Sequence, residues 1–531
     1  MANDGKILGH LDSVSGAKIS ASIKTDFSDN SGAPQLSNSA NVGTLIKVST
    51  RGSMVFGVIN NLSTNHQRST GHDERITFGI DLIGEMLNES NTFQRGVSFY
   101  PNLGEEVLLA SAKDVAAVYG QSKNNSTICI GSVHQDPDLP ANLLTDELLG
   151  KHFAILGTTG SGKSCAVALT LRSILLQHPN GHVILLDPHN EYSPAFGNMA
   201  EVMTIADLQL PYWLLTFEEL VEVMVSKEGA QRISQIAILR NAILESKKAM
   251  AGANDTSQIT VDTPSPYRLS ELKRAIDSAM GKLDKPENSA PYMRLLTRLD
   301  HLISDKRFSF MFSNLVVRDS MATLLSRVLR IPVEGKPITI IDLSGVPSEV
   351  VDVVVSLLCR MVFDFSLWSA KDTTVPVLLV CEEAHRYVPE RDELGFNPTK
   401  RAISRIAKEG RKYGVSVCLV SQRPSELSAT ILSQCGTLIA LRMGNERDQK
   451  FVARTLPEAS RGLLDVLPTL RTREALVVGE GVSVPMRIRF DSLDAEHRPS
   501  SATKAFSFSG DWQFDKEGTP FVEETVQRWR Q

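Results

Sequence analysis

The order of apolar and polar positions divides the chain into two textures. Up to about residue 145, short β-branched runs such as "TLIKVST", "MVFGVINNL", "EEVLLAS" and "STICIGSV" are separated by Gly, Asn and Ser. Short strands at turn-length spacing predict a small barrel over 1–145. A polar loop without apolar periodicity, "DFSDNSGAPQLSNSAN" from Asp26 to Asn41, interrupts them. From about residue 150 the pattern becomes strands followed by helices. "HFAILG", "HVILLD", "ITIIDLSG", "VPVLLVCEE" and "VSVCLVSQ" are near-continuous apolar runs, which fit strands buried on both faces of a parallel sheet. Between the second and third lies a helical stretch with "EELVEVMV", "QIAILRNAILESKKAM" and "YMRLLTRLDHLI", broken by the loop "GANDTSQITVDTPSPY". The expected organisation is a barrel over 1–145, an α/β core over 146–204 and 331–490, a helical insertion over 205–330, and a C-terminal tail over 491–531. No internal repeat is visible.

Composition narrows this picture only slightly. At 531 residues the chain has room for two or three domains, and 42% hydrophobic with 22% charged residues is an ordinary globular balance. No apolar run reaches the roughly 18 residues that span a bilayer. The start, "MANDGKILGHLDS", lacks the basic and apolar regions of a secretory signal, so a cytoplasmic protein is expected. Six cysteines are scattered without paired spacing. Cys165, Cys359, Cys381 and Cys418 stand in apolar or helical contexts, as buried thiols in a reducing compartment would, and not as disulfides or a metal cage. The net charge of −5 confines any nucleic-acid surface to a local basic patch, such as the lining of a channel.

One motif changes the picture. "GTTGSGKS", Gly157 to Ser164, fits G-x-x-x-x-G-K-S between an apolar strand and a helical pattern. Such glycines let backbone N–H groups turn inward around a phosphate, and the helix N-terminus adds partial positive charge. Gly157, Thr158, Thr159, Gly160, Ser161 and Gly162 form the expected cradle. Lys163 then reaches the β- and γ-phosphates of ATP, and the Ser164 hydroxyl ligates Mg2+. The plain alternative is a glycine-rich turn with an incidental lysine, but strand, loop and helix all stand in order.

Hydrolysis needs carboxylates near the metal and near the attacking water. "VPVLLVCEEAHRYVP" ends an apolar strand in Glu382 and Glu383. Two acids there are costly unless a cation or water network uses them. Glu382 is expected toward Mg2+, directly or through water, and Glu383 toward the attacking water as its base. The plain alternative is a helix start with acids at its N-terminus. Asp187 ends the strand "HVILLD" and Glu191 follows; a cap with a helix-dipole partner and a catalytic role stand level for them. Gln422 ends another strand, where it can sense the γ-phosphate. Arg401, Arg405, Lys408 and Lys412 fall at i, i+4, i+7 and i+11, with Arg411 offset near the helix end. A solvated stripe is the plain reading. An arginine finger reaching a neighbouring subunit's nucleotide is the other.

The set "GTTGSGKS", "LLDPHNEYS", "LLVCEEAHRYVP", "SRIAKEGRKYGVSVCLVSQRPSEL" and "ALVVGEGVSVPMRIRF", in that order, closely resembles the HerA family of hexameric DNA-translocating ATPases, which sit with FtsK-like motors. The resemblance covers nearly the whole chain. It implies a RecA-like P-loop ATPase core, a small N-terminal barrel, a helical insertion and a C-terminal arm that embraces a neighbour. It further implies a homohexamer with double-stranded DNA in its channel, ATP and Mg2+ at the subunit interfaces, and a partner: a NurA-like nuclease or, in some bacterial relatives, a defence effector of sirtuin or nuclease type. By the same resemblance Lys163 and Ser164 hold phosphate and metal, Glu383 is the base, Gln422 is a sensor, and Arg405 or Arg411 is the finger in trans. Where related chains often carry an arginine before His-Phe, this one has Lys151, which keeps the charge without the planar fork. The leading expectation is an ATP-driven translocase or helicase. A ring that binds ATP to assemble and license an effector is one alternative, and a conjugation or secretion coupling ATPase is another.

Overall fold

The computed structural model describes residues 6–16, 18–25, 41–65, 74–88, 92–120, 126–226, 229, 231–251, 257–281, 286–312, 317, 319–391, 395–455, 458–500, 509 and 519–530. Residues 26–40 of the polar loop and 252–256 of the insertion loop lie outside them.

The N-terminal strands are β1 (Ile7–Ser15), β2 (Lys18–Thr25), β3 (Leu45–Ser49), β4 (Ser53–Asn65), β5 (Glu74–Leu87), β6 (Phe93–Arg95) and β7 (Glu106–Leu109). They run in the order β2-β1-β7-β3-β4-β5-β6, and a further β2–β5 pairing closes six of them into a barrel. Leu8, Ile46, Val48, Ile59 and Ile80 fill its interior, since alternate positions of each strand point inward. β1, β2 and β5 were not legible as runs, because their apolar positions alternate with Ser, Lys and Asp.

The second sheet contains β8 (Thr127–Val133), β9 (Asp136–Leu144), β10 (Phe153–Leu156), β11 (Val183–Asp187), β12 (Ala200–Thr204), β13 (Ile338–Asp342), β14 (Val377–Cys381), β15 (Val415–Ser421), β16 (Thr437–Leu441), β17 (Glu474–Gly479) and β18 (Met486–Phe490). Their order is β12-β13-β11-β14-β15-β10-β16-β17-β18-β8-β9. Pairing is parallel from β12 to β16 and antiparallel from there on. All five apolar runs expected as strands are central here. β10, β11, β14, β15 and β16 are buried at every position. "STICIGSV", grouped with the barrel on local texture, instead pairs with β18 through Ile488↔Val133.

The insertion is helical, with Phe217–Met224, Arg232–Ala251, Leu269–Met280, Pro286–Ser304 and Met321–Leu329. It is anchored where Glu219 accepts from Ser356 (2.8 Å) and Arg360 (3.1 Å) of the core helix Ser348–Trp368. Leaving either side unmatched would strand a buried charge. Among the described residues all six cysteines are free thiols. Cys359, Cys381 and Cys418 are buried, whereas Cys165 is only half-buried, because it opens onto the cleft described next. No helix among the described residues is long and apolar enough to cross a membrane.

Candidate functional site: a phosphate-loop cleft at the carboxyl ends of the parallel strands

The carboxyl ends of β10, β11, β14 and β15 converge where open α/β sheets bind ligands. β10 pairs with β15 so that Leu156 stands opposite Ser421. The chain then turns through Gly157–Gly162 into the helix Lys163–Gln177. Gly162 has φ +95° and leaves a Cβ only 3.3 Å from the Arg473 nitrogen, so any side chain there is strained. The loop is anchored from outside: Thr158 N donates to Arg442 O (3.1 Å), and Arg473 N donates to Ser161 O (3.2 Å). The result is a cleft of about 750 Å³ lined by the loop, Glu191, Glu382, Glu383 and Gln422.

Polar contacts inside the cleft tie the loop and the helix start to residues that follow three strands. Lys163 pairs with Glu382 Oε1, both nearly buried. The Tyr192 hydroxyl donates to Glu382 Oε2 at 2.9 Å. Burial pushes the Glu382 carboxyl upward, and the adjacent Lys163 ammonium acts against that push. Ser164 Oγ donates to Glu191 Oε2 (3.0 Å), and Thr159 Oγ1 donates to Gln422 Oε1 (2.6 Å). Asp187 spends its oxygens on the backbone amides of His189 (3.2 Å) and Tyr192 (2.9 Å). Of the two readings level for Asp187 and Glu191, the structure therefore gives Asp187 the turn-capping position and puts Glu191 at the mouth of the loop.

Glu383 stands apart. Its backbone is left-handed, φ 53° and ψ 44°, a conformation that costs a non-glycine residue free energy and concentrates at functional sites. Its side chain is buried, and its Oε2 accepts no hydrogen bond among the described residues. His385 Nδ1 lies 3.2 Å from that oxygen but out of hydrogen-bonding alignment, and it lies at the same distance from Ser421 Oγ. Burial drives His385 down to about 4, so at neutral pH it is uncharged and does not neutralise Glu383. A buried carboxylate oxygen without a donor is open to a hydrogen-bond donor that enters the cleft, such as a water.

The depressed His385 also has a stability consequence. An unfolded histidine titrates near 6.5, so on acidification the unfolded state binds the proton first. Stability should fall as pH drops from about 6.5 toward 4, by at most about 3 kcal/mol for this group. Chemical denaturation of His385→Asn across that window should show a shallower loss than wild type. Parallel curves would show that another group carries the slope.

Phosphate, and the magnesium that travels with it, fit these residues. Among the described residues no three His, Cys, Asp or Glu side chains cluster as a metal cage. Magnesium bound to a nucleotide needs only one or two protein oxygens beside phosphates and water. Ser164 Oγ and the Glu382 carboxylate face that place. When bound, the ion offsets the charge of the β- and γ-phosphates.

The remaining expected residues lie elsewhere. Arg405 stacks over Phe363 at 4.4 Å and reaches Asp364 at 3.4 Å. Arg411 precedes the amino end of β15 and borders a different cavity with His178 and Thr374. Neither arginine lines its own chain's phosphate cleft. Lys151 stands before the amino end of β10, paired with Glu147 (2.8 Å) and with Glu480. Sequence reasoning missed Tyr192, Arg473 and Arg498, all gathered here. Tyr192 was within reach, because a tyrosine in a buried acidic turn needs a hydroxyl partner. Arg473 precedes β17 and Arg498 lies in the segment after β18, and only the folded sheet reveals their neighbours.

Fold and site together define a P-loop ATPase. The model of the family described as "Helicase HerA, central domain" matches residues 128–362. The DNA double-strand break repair helicase HerA of Pyrococcus furiosus is 27% identical over 459 residues, covering 79% of this chain and 78% of that protein. The probable DNA double-strand break repair helicase HerA of Methanocaldococcus jannaschii is 26% identical over 509 residues, covering 86% and 91%. The chain is therefore similar to HerA helicases over most of its length. Among solved structures, VirB4 of Thermoanaerobacter pseudethanolicus superposes with a TM-score of 0.51 at 18% identity, over 71% of this chain and all of that one, a likeness of fold alone.

Proposed function

We propose that this chain is an ATP-driven translocase on double-stranded DNA, working as a closed homohexamer with a partner nuclease or defence effector. The observation that carries the reading is Glu383: a buried, donor-free carboxylate oxygen on strained backbone, across the cleft from Lys163. A ring that only binds ATP has no use for a base at that place. In this reading Lys163 leaves Glu382 to reach the β- and γ-phosphates, Glu383 takes the proton of the attacking water, and Gln422 reports the γ-phosphate through Thr159. Ser164 and Glu382 hold the magnesium. Arg405 or Arg411 completes a neighbour's site, in keeping with their absence from their own cleft. Such an interface is heterologous and must close into a ring to avoid filaments. Relatives named as DNA double-strand break repair helicases support the choice of DNA.

The test is ATP hydrolysis measured with duplex DNA alone and with a candidate partner alone, beside a salt titration of duplex binding. The overall charge is −5, so DNA affinity has to come from a basic channel. It should fall steeply with salt and ignore base sequence, because phosphates are read through counterion release. Hydrolysis should rise with DNA length until the ring is filled. Hydrolysis that ignores DNA and answers only to a partner would favour the scaffold. A chain that neither binds duplex below about 50 mM salt, where phosphate contacts are strongest, nor is stimulated by it is not a DNA motor.

A further inference from the structure

Asp491 to Ser500, the described start of the C-terminal tail after β18, lies against this chain's own cleft. Phe490, Asp491, Ser492, Leu493 and Arg498 form part of its wall. The segment is pinned at its far end, where Ser500 N donates to Glu191 O at 2.8 Å and Ser500 Oγ to Asn190 O at 3.2 Å. Glu191 is also the residue whose side chain accepts from Ser164. The strap is thus fastened to the turn that meets the phosphate loop.

Two guanidinium groups reach this wall from different directions. Arg473, at the start of β17, has a left-handed backbone (φ 70°) that presses its N–H onto Ser161 O, and its Nη1 donates to Ser492 Oγ at 2.5 Å. Arg498 donates through Nε to Leu493 O at 3.0 Å. Among the described residues no ion pair joins either to a carboxylate, although Asp491 lines the same wall. Both line the same cleft as Cys165. Cys165 follows Ser164, two residues along the helix from Lys163.

This position has a chemical meaning in a phosphate loop. The lysine serves the β- and γ-phosphates, while loop and helix-start amides cradle the α- and β-phosphates. Lys163 points toward Glu382, on the hydrolytic side. The arginines line the cleft with Cys165, toward the other end of the polyphosphate. A lone exposed arginine is ordinarily solvated. Two from separate segments, aimed at one cleft and lacking carboxylate partners, are placed for an anion, to which a planar fork donates in pairs.

We infer that Arg473 and Arg498, mounted on β17 and the C-terminal strap, bind the α-phosphate end of the nucleotide in cis, so that the strap is a wall of the nucleotide site. The inference rests on the nucleotide-binding reading above and adds residues to it. It also accounts for the strap's fastening to Glu191: nucleotide that draws Ser164 away from Glu191 bears on the turn that holds Ser500.

The experiment is calorimetric titration of the full chain with Mg-ADP and, in a Glu383→Gln background, Mg-ATP. Arg473→Ala and Arg498→Ala should each weaken both nucleotides about 10-fold or more, the scale of one lost charge-assisted hydrogen bond. The factor should be the same for ADP and ATP, because the contact lies away from the γ-phosphate. In steady state KM should rise with kcat little changed. Nucleotide-free melting is measured in parallel. Should an alanine variant fail to fold, Arg473→Gln and Arg498→Gln, which keep a side chain that can donate to Ser492 Oγ or Leu493 O, carry the test. Wild-type ADP affinity in the variants overturns the inference, and so does a loss confined to ATP. A wild-type chain that binds neither nucleotide would instead overturn the nucleotide site itself.

Discussion

Lys163→Ala is expected to abolish ATP hydrolysis and to weaken ATP binding. The reason is visible before any nucleotide arrives. Lys163 is held by the buried Glu382, whose other oxygen is already taken by Tyr192. An ammonium kept in a nearly dry cleft, beside a carboxylate that burial pushes toward its neutral form, can pass to an incoming triphosphate at small cost. Glu382 needs it less as its own charge is turned toward metal. Alanine removes the charge that meets the β- and γ-phosphates, and it leaves Glu382 buried without its cation. Removing one partner of a buried pair is commonly destabilising by about 3–5 kcal/mol, so the nucleotide-free variant should also melt lower. Lys163→Ala, Glu382→Gln separates the two effects. The second change removes the stranded charge and should recover much of the stability, while hydrolysis stays absent. Wild-type turnover in the single variant would mean that this loop does not hold the reacting phosphates. Restored turnover in the double variant would mean that Lys163 serves only to neutralise Glu382.

The parts of the fold that were legible are those whose signal is local. A strand buried on both faces must be apolar throughout, so β10, β11, β14 and β15 announce themselves. The phosphate loop needs glycine at positive φ, lysine and serine in fixed order, and it must join a strand to a helix. All of that fits in about a dozen residues. Partnership across the sheet is not local. "STICIGSV" has the composition of a barrel strand, and only its pairing with β18 puts it in the large sheet. β12 and β16 are strands because parallel neighbours accept them; in isolation "AEVMT" carries little pattern. The site divides in the same way. Glu382, Glu383 and Gln422 follow the ends of apolar strands, and Lys163 and Ser164 open the helix after the glycine loop, so all five stand at positions the sequence marks. Arg473 and Arg498 do not, since each looks like one more surface cation until the antiparallel edge brings β17 and the strap beside the loop. Asp187 shows a further limit. A buried acid at a strand end suits catalysis and turn-capping equally, and the nearby amides of His189 and Tyr192 distinguish the two.

Glu383→Gln should bind ATP and still form rings, yet hydrolyse ATP at least about 100-fold more slowly, the scale for losing a general base. The substitution is close to isosteric, so the left-handed turn at φ 53° and the packing around it should survive, and nucleotide affinity becomes the control for folding. What changes is the Oε2 position. In the native chain that oxygen is buried and accepts no hydrogen bond, and neutral His385 gives it no charge partner. A water entering beside the γ-phosphate is then the donor it lacks, and the proton released on attack has a nearby acceptor. A glutamine can orient the water through its carbonyl but cannot take the proton, so binding and turnover should separate. Glu382→Gln would not separate them as cleanly, because it also disturbs Lys163 and Tyr192. The measurement is single-turnover hydrolysis at saturating ATP with duplex DNA present, so that slow product release does not mask the chemical step. An unchanged rate would remove Glu383 from the role of base. Glu191, which accepts from Ser164 Oγ, would be the next candidate, and the strain at Glu383 would have to be explained by the turn toward His385 and Tyr387 alone.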